Sequence, residues 1–416
     1  MITAETPKWF PYLFDRTEPA VSILITNIGE LTTNDDSLAN SRVKDAAVIL
    51  DGDRVGWVGS AADAPAADEL VDAAGRAVLP GWVDSHTHMV FAGDRTAEFE
   101  ARMAGESYAA GGINVTVSAT RAATDDELRV NLQRLVDEAR RGGTTTMETK
   151  TGYGLTVADE VRSARVAAGI VDEVTFLGAH VVPSGSDRDE YLSLVTGEML
   201  DAVAPFVSAV DVFCETGAFD AVETARILET AASKGLATHV HGNQLGHGPG
   251  VQLAVAHNSL SVDHLGFLDD KDVEALAESW RNGGRGTVAT VLPACDLSTR
   301  MPLAPAKQLL DAGAVVAIAS NCNPGTSYTS SMNFCVATAV LQMGLTIEQA
   351  VRAATLGGAI ALGRDTERAG KPRVGVIAPG ARADLQMLGA PSITHLAYRP
   401  GMPLTAAVWA AGRRAV

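Results

Sequence analysis

Between residues 77 and 320 the chain alternates short apolar, β-branched runs with longer stretches in which apolar residues recur every three or four positions. The runs are AVLPGWVD (77–84), TTTMETK (144–150), VTFLGAH (174–180), AVDVFCE (209–215), LATHVH (236–241), LSVDH (260–264), TVATVLP (287–293) and VVAIAS (315–320). Near-continuous apolar strands separated by helical patterns are the signature of βα repeats around a parallel sheet. Eight of them predict an α/β fold, a (β/α)₈ TIM-like barrel. One intervening helix is marked at both ends. Thr124 and Glu127 form a capping box, Leu128, Leu132, Leu135 and Ala139 share a face, and Gly142 and Gly143 stop it.

The flanks have a different texture. From Val21 to Val78 the chain reads as short strands with an Asp-Gly-Asp turn at Asp51 to Asp53, and from Arg373 the texture returns in VGVIAPGARADLQML and PLTAAVWAAGRRAV. Neither flank can close a sandwich alone. Residues 1–78 and 371–416 are therefore expected to pair into one small composite β-sandwich domain beside a barrel of residues 79–370. The apolar WFPYLF at 9–14 is expected to pack on its own domain rather than on a second subunit.

The composition, 46% hydrophobic and 20% charged over 416 residues, is that of a soluble globular chain with a full-sized core. A net charge of -17 repels phosphate backbones and anionic lipid, so nucleic acid and membranes are excluded as partners and a small molecule is left. Four cysteines show no metal or disulfide spacing, no basic region precedes an apolar run, and no stretch reaches the ~20 apolar residues of a membrane span. The expected compartment is the cytoplasm.

The chemistry-bearing residues fall in phase at the strand ends. His86 and His88 follow the first strand, Glu148 and Tyr153 the second, His180 the third, and Glu215, His241, His264 and Asn321 the fourth, fifth, sixth and eighth. A (β/α)₈ barrel assembles its site at that rim. His257 and His395 lack this phase and are read as ordinary residues. In DSHTH, alternate residues of an extended segment point the same way, so His86 and His88 can offer two imidazoles to one ion. The HxH pattern is weak alone and is strengthened by a third histidine at a later strand end, His241 in THVHGNQ, with His239 a core or supporting residue and Gln244 in the loop beyond. His264, ending SVDH, has the reach of an acid, base or electrophile.

At these residues the chain resembles the amidohydrolase superfamily and, within it, the imidazolonepropionase family. The resemblance runs from about Leu79 to Leu362 and rests on PGWVDSHTHMVFAGDR, GTTTMETKTGYGL, TFLGAHVVP, DVFCETGAFD, HGNQLGHGPG, SVDHL and NPGTSYTSSM. It implies one divalent or trivalent metal ion, zinc or iron, on His86, His88 and His241. It also implies a pocket lined by Arg95, Tyr108, Tyr153, His180 and Gln244, and a propionate grip at Asn323, Gly325 and Thr326. The implied reaction is hydrolysis of 4-imidazolone-5-propanoate to N-formimino-L-glutamate in a homodimer, with His264, Gln244 and position 321 in catalysis.

The chain departs from the family at one point. Where the family carries a metal-binding aspartate this sequence has Asn321, an uncharged ligand that cannot take up a proton at neutral pH. Asp296 lies on another strand and is no obvious replacement. The expectation is substrate binding with impaired turnover. Two rivals are another cyclic amidohydrolase or deaminase with the same metal motif, against which Tyr153, His180 and NPGT speak, and a catalytically silent binding protein, which Asn321 alone favours.

Overall fold

A computed structural model describes residues 21–36, 42–105, 112–281 and 283–416. Tyr108 and the 9–14 segment lie outside the described residues.

Eight strands run in chain order: Trp82–Asp84, Thr144–Lys150, Glu173–Ala179, Ala209–Cys214, Ala237–Gly242, Ser261–His264, Val288–Val291 and Val316–Ile318. Each pairs in parallel with the next. The circle closes just past the eighth strand, where Asn321 N–H donates to the His86 carbonyl at 3.0 Å and His88 N–H donates to the Cys322 carbonyl at 2.9 Å. Asp84 seals the same seam by accepting from the Ser320 backbone at 2.9 Å. Closure therefore places position 321 beside the HxH segment. The second and third strands are buried at every position, as strands covered on both faces must be.

The helix Asp125–Arg141 carries the expected capping box at Thr124 and Glu127 and buries Leu128, Leu132, Leu135 and Ala139. A second capping box, Asp220 with Glu223, starts Ala221–Ser233.

The first predicted strand needs correction, because AVLPGWVD is two strands. Ala77–Pro80 pairs antiparallel with Leu385–Leu388 in a sheet outside the barrel, and only Trp82–Asp84 enters the barrel. The change of partner occurs at Gly81, which rides directly on Thr145. A Cβ at 81 would sit 2.2 Å from the Thr145 Oγ1.

Among the described residues, two sheets lie outside the barrel. One orders Arg54–Ser60, Ala46–Asp51, Ser22–Ile28 and Glu69–Asp72. The other orders Arg413–Arg414, Thr405–Ala410, Leu385–Leu388, Ala77–Pro80, Glu30–Thr32 and Arg42–Val43. Residues from both ends of the chain share their core, with Ile25, Leu50 and Val78 packed with Leu385 and Trp409. Arg382 fastens this region to the barrel, donating to Asp384 and Asp172 at 2.6 Å each and to the Thr145 carbonyl at 2.9 Å.

Candidate metal centre and active site

His86, His88 and His241 converge in the barrel mouth. The Nε2 of His88 lies 3.2 Å from the Nε2 of His86 and 3.3 Å from that of His241, and all three rings are buried. A tetrahedral cation with bonds of about 2.0–2.1 Å places its ligand nitrogens about 3.3–3.4 Å apart, so the spacing is that of three ligands to one ion.

Two carboxylates set the ring orientation. Asp263 lies 2.7 Å from the Nδ1 of His86 and Asp211 lies 3.0 Å from the Nδ1 of His241. A carboxylate there accepts the Nδ1 proton and leaves the Nε2 lone pair pointing inward. Burial, together with the neighbouring cationic Lys150, holds His86 well below the usual histidine range, and burial does the same to His88. The Nδ1 of His88 has no partner, so this ring alone can turn either a lone pair or an N–H towards the other two Nε2 atoms. Asn321 adds a buried Oδ1 with no hydrogen-bond partner, on a backbone at φ 51 that asparagine tolerates. The three imidazoles thus fit a metal ion; Asn321 lines the same mouth, and His264 brings a ring nitrogen within 4.8 Å of those of His86 and His241.

Around this centre, one pocket collects Arg95, Tyr153, His180, Gln244, His264, Asn323 and Thr326 together with His88, His241 and Asn321. His180 stacks on His88 with ring centres 5.6 Å apart and is pushed down to about 4 by burial, so it is neutral near pH 7. Tyr153 tilts against His180 at 5.5 Å. Arg95 is buried, and Glu98 grips its Nε and Nη2 at 2.8 and 2.6 Å. Gly325 does not line the pocket but lets that guanidinium reach it, since a Cβ there would lie 2.2 Å from the Arg95 Nη1.

The NPGT loop is knitted by its own asparagine. Asn323 Oδ1 accepts from the backbones of Gly325 and Thr326 at 2.8 Å each, and its amide donates to the Thr326 hydroxyl at 2.8 Å. Gln244 is placed by Glu215, whose carboxylate accepts the backbone N–H groups of Gln244 and Leu245. His264 and Leu265 both sit at positive φ, 85° and 65°, a strained pair of the kind that accumulates at functional sites. Burial keeps the His264 ring well below the ordinary histidine range, and its Nδ1 is buried without a partner.

Three charged residues that matter here, Lys150, Asp211 and Asp263, were not legible as site residues. Glu148, expected at the rim, instead points into the barrel interior with Lys150, and Asp211 and Asp263 stand behind the metal histidines. Their signal was present, because a charged residue inside an apolar strand must find a buried partner. His239 supports rather than ligates, with Nδ1 2.9 Å from Ser261 Oγ, which in turn donates to Asp263 at 2.7 Å. Asp296 is buried beside His264. Its nearest ligand atom and those of His264 and Cys295 lie within 4.8 Å of one another.

A family model described as the amidohydrolase family matches residues 77–413. An imidazolonepropionase of Saccharopolyspora erythraea is 64% identical over 393 residues, spanning 94% of this chain and 98% of its own. One of Paenarthrobacter aurescens is 62% identical over 406 residues, spanning 95% and 99%. Among solved structures, a triazine hydrolase from Arthrobacter aurescens superposes with a TM-score of 0.73 at 18% identity, covering 95% of this chain and 94% of its own. A zinc-bound adenosine deaminase of Xanthomonas campestris gives 0.68 at 20% identity, covering 94% and 92%. These two share the fold.

Proposed function

The chain belongs to the amidohydrolase family and, within it, to the imidazolonepropionases, and on that premise we propose how its site opens an imidazolone ring. The reaction is hydrolysis of the cyclic amide of 4-imidazolone-5-propanoate to N-formimino-L-glutamate, a step of histidine degradation. The observation that carries the site reading is the convergence of three Nε2 atoms at 3.2 and 3.3 Å, two of them oriented by carboxylates.

His86, His88 and His241 would hold one ion, zinc or iron, with the Asn321 amide oxygen as a weaker fourth ligand. When bound, the ion supplies Lewis acidity to water and to the amide carbonyl. The chain's own residues do the rest. Arg95 offers a buried guanidinium to the propionate, the NPGT loop presents Thr326 beside it, and Gln244 donates or accepts at the ring. His264, neutral and lining the same pocket, hydrogen-bonds the reacting carbonyl and passes a proton towards the leaving nitrogen.

Asn321 cannot share that proton transfer. We therefore expect ring opening to be slow in this chain and Asn321→Asp to accelerate it by roughly 10²–10⁴-fold, the scale of a missing general base. Following the loss of imidazolone absorbance in both proteins, with metal content measured beside it, tests this. Equal and fast rates would remove the role assigned to position 321, and a chain that neither binds metal nor opens the ring would remove the reading altogether.

The four cysteines are all free and buried, which suits a reducing compartment such as the cytoplasm, and no helix among the described residues is long and apolar enough to cross a membrane. A homodimer is proposed from the family alone.

A further inference from the structure

The first and fifth strands of an eight-stranded barrel stand opposite each other, so no backbone ladder fixes the distance between them. Yet the metal histidines come from those two: His86 and His88 just past the first strand, and His241 within the fifth. Something inside the barrel must set their separation. Beside the path from His86 through Asp263 and Ser261 to His239, the structure offers a second continuous chain of buried polar contacts that does so and reaches His241 itself.

It begins at Thr87, the residue between the two histidines. Its N–H donates to Glu148 Oε2 at 3.1 Å, and its hydroxyl donates to the Glu148 carbonyl at 2.6 Å. Glu148 Oε1 accepts from Lys150 Nζ at 3.1 Å. Lys150 Nζ also lies 2.9 Å from Asp211 Oδ2, and the other oxygen of Asp211 meets the Nδ1 of His241 at 3.0 Å. Glu148, Lys150 and Asp211 have no exposed surface.

We propose that Lys150 is a positioning residue for the metal site, the crosslink that joins the Thr87 side to the His241 side and holds the imidazoles at ligand spacing. It ligates nothing and touches no substrate. An ammonium suits the place because it is a compact charge whose rotatable donors can serve two carboxylates without the room that a planar guanidinium needs. A lysine kept only to fill the core would be an expensive choice, since a buried charge costs several kcal/mol unless it is well paired.

The inference rests on the metal reading above, and its test separates the two. Lys150→Met cuts the crosslink at its centre. Because that variant leaves carboxylates uncompensated and can fail to fold, Glu148→Gln is made beside it: a single amide oxygen cannot serve both Thr87 N–H and Lys150, yet no charge is orphaned. Arg42→Met, which breaks the pair with buried Glu30 (2.5 Å) in a sheet outside the barrel, is the control for general loss of stability. The readouts are zinc per chain, zinc affinity by chelator competition, and melting of the zinc-free proteins.

The expected result is a 10- to 100-fold loss of zinc affinity in Glu148→Gln, the range for residues that orient metal ligands, with zinc-free melting close to the parent. Arg42→Met is expected to melt lower and bind zinc as the parent does. Parental zinc affinity in a folded Glu148→Gln or Lys150→Met overturns the crosslink and leaves the metal centre standing. A parent protein that takes up no zinc overturns both.

Discussion

At position 321 a neutral amide stands among neutral imidazoles, and its oxygen is left without a partner inside the barrel. The nearby carboxyl of Asp296 presents the opposite problem, since burial pushes it up to about 7 from 3.8. An acid whose folded pKa is raised holds its proton where the unfolded chain has released it, so its contribution to stability is lost as pH rises from about 4 to about 7. Asp296→Asn, which cannot ionise, should therefore gain on the parent with rising pH. The gap in unfolding free energy is expected to move by roughly 3 kcal/mol in the variant's favour between about pH 5 and pH 8, as read by urea titration. A gap that does not change with pH would show that Asp296 ionises normally. At this scale the histidines were legible because HxH in an extended segment is a local device. The carboxylates that orient them were not, because Asp211 and Asp263 acquire their meaning from strands far away in sequence.

Among the elements, the helix with the Thr124–Glu127 box was readable from its own residues, since capping is settled within one turn. The break in AVLPGWVD was not, because it depends on Gly81 lying against Thr145 and on a partner strand, Leu385–Leu388, some three hundred residues on. Arg382 holds those elements to the barrel. Burial alone would raise the carboxyl of Asp172, yet Arg382 brings it below the ordinary aspartate value. Arg382→Met strands two carboxylates, Asp172 and Asp384, and should cost about 3–5 kcal/mol of unfolding free energy. A loss below 1 kcal/mol would show that water replaces the guanidinium without penalty.

For the whole molecule, an ion that binds only the folded chain stabilises it by mass action. At a free concentration a thousand times its dissociation constant it adds about 4 kcal/mol, so stripping the protein with a chelator should lower its melting temperature and re-adding zinc should restore it. Calorimetry that shows no difference would argue against a structural hold by the ion. The barrel itself was legible from eight apolar runs, whereas the chain's re-pairing at its two ends required coordinates. His88 and His241 are 153 residues apart, and the seam beside them closes only with Cys322. A ribosome-bound chain that has emerged only as far as the fourth strand carries two of the three imidazoles and so cannot retain the ion. On the ligand set proposed above, metal capture is then a late event of maturation, which waits at least for the fifth strand to deliver His241.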